Sequence, residues 1–207
     1  IFFALKENLN PENLILDFGK KNNLSITFNK ESEWNFYPVI KYINNISIKE
    51  KNSFFEINDA NINISKNYWP YSKININLIS PLMKIKDVHF RNNKILSIYD
   101  NEVVLIKNIS SNLTEGNIDL SGKIYINKDA TFELDGSFKN ISLNMILNQA
   151  KVAKWERVKL KLSSPNFNIS GSTNNNKEFN KNLNGKFDIN GSIFFVSTEE
   201  ERFGAAL

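Results

Sequence analysis

"GNIDLSGKIYIN", residues 116 to 127, decides how this chain is read. From Ile118 onward every second position is apolar or glycine: Ile118, Leu120, Gly122, Ile124 and Ile126. Between them stand Asp119, Ser121, Lys123, Tyr125 and Asn127. Side chains alternate across a strand, so the segment has one apolar face and one wet face. A face of that kind must be covered by something.

Most of the chain repeats the pattern. Alternating runs include "LSITFN" from Leu24, "EWNFYP" from Glu33, "NISIK" from Asn45, "FFEIND" from Phe54, "ANINIS" from Ala60 and "KININLIS" from Lys73. "LMKIKDVHF" carries Met83 and Ile85, then Val88 and Phe90, a phase slip that predicts a bulge near Asp87. Further runs are "KILSIYD", "EVVLIKNIS", "TFELDGSF", "ERVKLKLS", "NFNISGS" and "LNGKFDINGSIFF". Turn signals stand at 127–130 ("NKDA"), 163–166 ("SSPN") and 173–182 ("TNNNKEFNKN"). Roughly a dozen strands result, at 24–141 and 157–196.

Helices are few. Asn10 caps a short one over 10–19, with Pro11 at its first position and Gly19 closing it. Ser142 caps a second over 142–155, with Leu143, Ile146, Leu147, Ala150 and Ala153 at helical spacing. Ser197 or Thr198 with Glu200 or Glu201 fits a capping box that starts a third over 198–207. Residues 1–5, "IFFAL", fit either the last turn of an N-terminal membrane anchor or a short buried strand. Both ends read as cut from a longer chain.

Short connections favour antiparallel order, because a parallel crossover needs a dozen or more residues. Polar interleaving argues against a sheet buried on both faces. The expected fold is therefore mainly β, an extended antiparallel sheet with one dry face and two or three short helices. A two-sheet sandwich, a closed barrel or a curled open trough would each cover that face.

Composition narrows the function. The 207 residues include 35 Asn, 26 Ile and only three Arg, a usage that fits AT-rich codons. The formal charge is +4, with lysines scattered rather than clustered, and no nucleic-acid-binding motif accompanies them; a nucleic-acid partner is not expected. Cysteine is absent, which excludes disulfides and thiol chemistry. The one histidine, His89, alternates away from Val88 and Phe90 toward solvent. There is no phosphate loop, no nucleophile elbow and no spacing of metal ligands, so neither an enzyme nor a cofactor is expected.

Two stretches together resemble the AsmA family of bacterial envelope proteins. The first runs from residue 10 to 90: "NPENLILDFGKKNNLSITF", "EWNFYPVIKYINNISI", "FFEINDANINI" and "SPLMKIKDVHF", with Pro11, Trp34, Phe36, Pro38, Ala60, Leu82, Ile85 and Val88 at the matching positions. The second is "NLNGKFDINGSIFF", where Leu183, Gly185, Phe187, Gly191 and Ile193 carry a Leu-x-Gly-x-Phe-x-x-x-Gly-x-Ile phrase. The chain departs from the family where a Gly-Arg pair is usual and Lys20, Lys21, Asn22 and Asn23 stand instead.

The resemblance implies a bridge-type lipid carrier, related to TamB, anchored in the inner membrane of a Gram-negative bacterium. It would reach through the periplasm as a curled sheet with an apolar trough. Its partners would be phospholipid or another lipid, the inner membrane, and outer-membrane or envelope proteins. Ile118, Leu120, Ile124, Ile126, Phe132, Leu134, Phe187, Ile189 and Ile193 would line the groove. Burying an acyl chain of about a dozen carbons there gains on the order of 10 kcal/mol. Aliphatic rungs without a fixed polar group would let the chain slide. The alternatives are a scaffold for outer-membrane protein assembly, working through a strand edge, and an unrelated adhesion domain whose apolar face is the core of a sandwich.

Overall fold

The structure is a computed structural model, and it describes residues 16, 19–20, 23–28, 34–36, 39–50, 55–66, 73–126, 131–149, 151, 158–172 and 182–195. Twelve strands form one sheet. They are β1 (Leu24–Thr27), β2 (Trp34–Phe36), β3 (Val39–Glu50), β4 (Phe55–Lys66), β5 (Ile74–Ile85), β6 (Val88–Asp100), β7 (Val103–Asn112), β8 (Asn117–Tyr125), β9 (Thr131–Ser142), β10 (Val158–Ser172), β11 (Asn184–Phe187) and β12 (Asn190–Phe195). β3 to β10 pair in chain order, each antiparallel to the next. β1 and β2 share the free edge of β3, and β11 and β12 share the free edge of β10. The twelve strands therefore make ten ranks, about 45 Å across at the usual strand spacing. The two outer ranks do not pair with each other, so the sheet is an open one and not a barrel. No second sheet stands against it among the described residues, which excludes the sandwich there.

Tight turns explain the meander. Lys86 and Asp87 link β5 to β6, with Ile85 facing Val88 across the turn and Lys86 at φ 53°. The bulge expected near Asp87 is thus a two-residue hairpin turn. Asn101 and Glu102 link β6 to β7, both at positive φ (44° and 64°), the backbone of a type I′ turn that matches strand twist.

Most of the true phase slips lie further in, along one transverse line; the slip in β7, between Ile106 and Ile109, lies off it. Asn45 in β3, Asp59 in β4, Asn92 in β6 and Asn140 in β9 all adopt positive φ, and a register shift accompanies each of them. On the apolar side this line reads Ile46 facing Ala60, then Ser80 facing Asn93, then Ser111 facing Ile118, Ile118 facing Phe138, and Phe138 facing Ser164. Bulges bend the strands that carry them. Because the bends line up, the sheet creases along this row and its two halves become walls. Ile46, Ala60, Ser80, Asn93 and Ser164 are all completely buried at the crease.

"SSPN" at 163–166, expected as a turn, lies inside the single strand β10. Pro165 has no N–H to give a ladder, so it falls where the register slips between Ser164 and Phe167. The apparent strand break is the same crease reaching β10.

Among the described residues one helix stands complete, α1 (Leu143–Gln149). It is shorter than the 142–155 expected: Ser142 closes β9, and 150 and 152–157 lie outside the described residues. Leu16, Gly19 and Lys20 are helical within or beside the expected helix at 10–19. The expected anchor at 1–5, the turn at 127–130 and the helix at 198–207 lie outside the described residues. No described helix is long and apolar enough to cross a membrane.

Where α1 sits follows from unequal strand lengths. At the turn end of the sheet, β7 stops at Asn112, which faces Arg91, and β8 starts at Asn117, which faces Lys139. β6 extends past that level to Val88 and β9 extends past it to Ser142. The β7–β8 hairpin thus leaves a notch in one wall, and α1 lies in it, touching both β6 and β10. That one short helix reaches strands four ranks apart reflects the curl of the sheet.

Candidate functional site

Register, not sequence alternation alone, assembles the apolar face. Val104 faces Ile124, which faces Phe132; Ile106 faces Gly122, which faces Leu134, which faces Ile169. Ile109 faces Leu120, then come Gly136, Phe167 and Phe187 in line. Leu160 faces Ile193 at the outer edge. Seven of the nine expected lining residues therefore fall on one continuous face: Ile118, Leu120, Ile124, Phe132, Leu134, Phe187 and Ile193. Ile126 and Ile189 are exposed and fall just outside β8 and between β11 and β12. The Ile126 N–H donates to the Glu102 carbonyl at 2.7 Å.

Burial grades along this face. Ile43 and Ile46 beside the crease are fully buried, and with Ile57, Ala60 and Leu78 they form the core. Ile118, Leu120, Ile124 and Leu134 are half-buried. At the β11–β12 edge Phe187, Ile193 and Phe195 rise to 45, 60 and 80% exposed. Among the described residues no second layer covers this face, and its apolar side chains become exposed toward the β11–β12 edge.

Glycine and phenylalanine alternate across the last ranks for a steric reason. A Cβ on Gly136 would lie 2.6 Å from the Phe167 ring, and one on Gly171 would lie 3.0 Å from the Phe132 ring. One on Gly185 would lie 2.7 Å from the Phe187 ring. Each ring lies over a glycine, an arrangement that shields bare backbone. The rings meet in a ladder: Phe138 to Phe167 at 5.8 Å and Phe167 to Phe187 at 5.4 Å, the second pair stacked. Gly185 and Phe187 are the middle of the Leu-x-Gly-x-Phe phrase.

The face is not purely aliphatic. Ser80 Oγ donates to the carbonyls of Asn58 (3.0 Å) and Leu82 (2.9 Å). Asn93 Nδ2 donates to those of Ser80 (3.2 Å) and Phe90 (2.9 Å), and Ser111 Oγ donates to Asn93 Oδ1 (2.7 Å). Ser164 Oγ does the same for Asn166 at the far bulge (2.8 Å). Bulging frees backbone carbonyls, and these buried side chains satisfy them. Rungs free of fixed polar groups were expected, and this row corrects that reading. Its members are bonded to the protein's own backbone, so they present no free donor to a guest. The signal was present in "LISPLMKI", "RNNKIL" and "NISSN", where the alternation stumbles.

The opposite face is wet. A hollow of about 360 Å³ there is open and polar, lined by Lys107, Asp119, Asp135, Ser137 and Asn166 among others. Asp135 accepts from Asn168 Nδ2 at 2.9 Å there. No group of three metal-ligating side chains converges among the described residues. His89 lies on this face, opposite Lys84, and is half-buried. Its backbone N–H donates to Gln149 Oε1 of α1 at 3.2 Å.

α1 is seated by a small set of polar contacts. Gln149 Nε2 also donates to Thr114 Oγ1 at 2.7 Å, and Asn144 Oδ1 accepts from the Leu160 N–H at 2.6 Å. Lys151 pairs with Asp87 at 3.7 Å, and Lys161 pairs with Glu115 at 3.0 Å across the notch. Leu113 and Ile141 are buried at this end. Compared with protein-family models, with characterised proteins and with solved structures, the chain matches none of them.

Proposed function

We propose that this chain is a non-enzymatic lipid carrier of the AsmA type. It works in the periplasm, anchored to the inner membrane, and holds phospholipid acyl chains against its creased apolar face on the way between inner and outer membrane. One observation carries the reading. Ten ranks present one apolar face, crossed by the hydrogen-bonded crease row, and among the described residues its exposure rises from the core at Ile43, Ile46, Ile57, Ala60 and Leu78 to Phe187 and Ile193 at the β11–β12 edge. Acyl chains are the guests such a surface suits: each buried methylene gains about 0.8 kcal/mol, and no directional partner is needed. The hydrogen-bonded crease adds a floor that competes for nothing.

The test is native mass spectrometry of the purified chain with lipid extraction, beside two variants. Ile124→Asp, at a half-buried wall position, should keep a β-type circular dichroism spectrum and lose bound lipid. Ile43→Asp, at the fully buried core, should unfold. A wild-type chain that carries no lipid, and an Ile124→Asp variant that unfolds like Ile43→Asp, would show the face to be only a core.

The assembly-scaffold reading has one observation in its favour. Among the described residues β11 and β12 have no strand on their outer side, and Leu183, Phe187, Ile189, Ile193, Phe194 and Phe195 are exposed along them. An edge of this kind adds strands from partners. Proline substitution at Ser192 separates the two readings: it would block strand addition and leave lipid content unchanged.

A further inference from the structure

We propose that the notch held by α1 is the side door of the trough, and that the lipid using it carries an anionic phosphate headgroup. The inference rests on the carrier reading above. It starts from how the wall is built. Elsewhere the wall is continuous antiparallel ladder, whose opening would break many backbone hydrogen bonds together. Beyond the Asn112–Asn117 pair that closes the β7–β8 hairpin the ladder stops, and a seven-residue helix takes its place. A helix so short has no stability of its own in water and depends on its docking. That docking runs through Gln149, the buried Asn144, the half-buried apolar side chains Leu143, Met145, Ile146 and Leu147, and the exposed Lys151–Asp87 pair. Once the helix lifts, its polar groups are exposed and exchange these few side-chain contacts for water, whereas opening the ladder elsewhere would break a whole row of backbone bonds. This is the part of the wall that opens most cheaply.

Charge says what passes. Arg91 and Lys139 stand on either side of the notch, facing Asn112 and Asn117. Lys151, Lys159 and Lys161 lie beside it, with Asp87 and Glu115 as the facing carboxylates among the described residues. Arg91, Lys139 and Lys159 are exposed and have no ion pair among the described residues. On the opposite rim Lys73 is paired with Asp100, at 3.1 Å, and Lys123 stands across from Glu133. An acyl chain can slide from the door onto Ile118 and Phe138. A charged headgroup cannot follow into an apolar trough and must stay at the mouth. The cations at this rim suit a phosphate and the opposite rim does not.

The chain has no cysteine, so an engineered pair is unambiguous. Thr114→Cys with Gln149→Cys, bridged by a short reducible bis-thiosulfonate, pins α1 across the notch. Loading would be followed from vesicles of phosphatidylcholine with or without phosphatidylglycerol. The bridged protein should load roughly tenfold more slowly, as expected when a closed lid limits the rate. Reductant should restore the rate, and the final lipid content should match the unbridged form. Arg91→Glu with Lys139→Glu should cut the preference for phosphatidylglycerol roughly tenfold, whereas Lys73→Glu with Lys123→Glu should leave it in place. Equal loading rates with and without the bridge would overturn the door and leave the carrier reading standing. An unchanged lipid preference in the Arg91–Lys139 variant would overturn the headgroup assignment. Absence of loading in every form, with the fold intact, would overturn the carrier reading and the door with it.

Discussion

Ser111 on β7 donates its hydroxyl to Asn93 Oδ1 on β6 over 2.7 Å, and both side chains are buried in the apolar crease of the sheet. The Asn93 amide passes the connection on to the carbonyls of Ser80 and Phe90. A polar chain in a greasy trough is explained by what it touches. Strands that bulge leave carbonyls without ladder partners, and buried carbonyls must be met.

Asn93→Leu should therefore destabilise the fold by about 3 kcal/mol, because it strands two carbonyls and a hydroxyl at once. Ser111→Ala strands only Asn93 Oδ1 and should cost about 1 kcal/mol. Urea unfolding of both variants checks the ratio. Equal losses would mean that the crease is held by packing alone.

The glycines of the apolar face should not be equivalent. Gly122 has φ +145°, and a Cβ there would lie 2.1 Å from the Glu133 carbonyl oxygen. Gly122→Ala should cost upwards of about 3 kcal/mol, through backbone strain and displacement of β9. Gly185→Ala crowds the edge of the exposed Phe187 ring, which can swing away, touches Ile169 at an ordinary 3.4 Å, and should cost less than about 1 kcal/mol. Thermal denaturation of the pair measures the difference.

The aromatic ladder grades from core to edge. Phe167 is buried between two rings, and Phe167→Ala should cost about 3–5 kcal/mol. Phe187 is half exposed, and Phe187→Ala should cost about 1 kcal/mol, chiefly the lost stacking. If Phe187 also touches guest chains, its variant should lose bound lipid out of proportion to its lost stability. Extracting lipid from the two purified variants decides that.

The β6–β7 turn has room for improvement. Asn101 suits its positive φ, whereas Glu102 holds φ 64° against the preference of a long side chain. Glu102→Gly creates the Asn-Gly pair that this turn favours and should stabilise by about 0.5–1 kcal/mol. The Glu102 carbonyl still accepts from Ile126. A lower midpoint in a thermal scan would contradict the turn assignment.

What the chain alone determined was local. Period-two alternation in "GNIDLSGKIYIN" and its neighbours is a property of adjacent residues, so strand content, antiparallel order and the membership of the apolar face could be read from it. Ile118, Leu120, Ile124, Phe132 and Leu134 needed nothing further. Where alternation slipped, the letters named an irregularity but misplaced it: the slip assigned to Asp87 is a turn, and "SSPN" is a bulge inside β10. A bulge and a turn use the same residues, Asn, Asp, Ser, Pro and Gly, and differ only in whether the chain is paired on both sides. Pairing belongs to the tertiary structure. So do the alignment of separate bulges into one crease, the passage of hydrogen bonds from Ser80 to Asn93 to Ser111, and the notch that a short β7–β8 hairpin leaves for α1. Each depends on the register between strands distant in the chain, and no single strand carries that register in its own sequence.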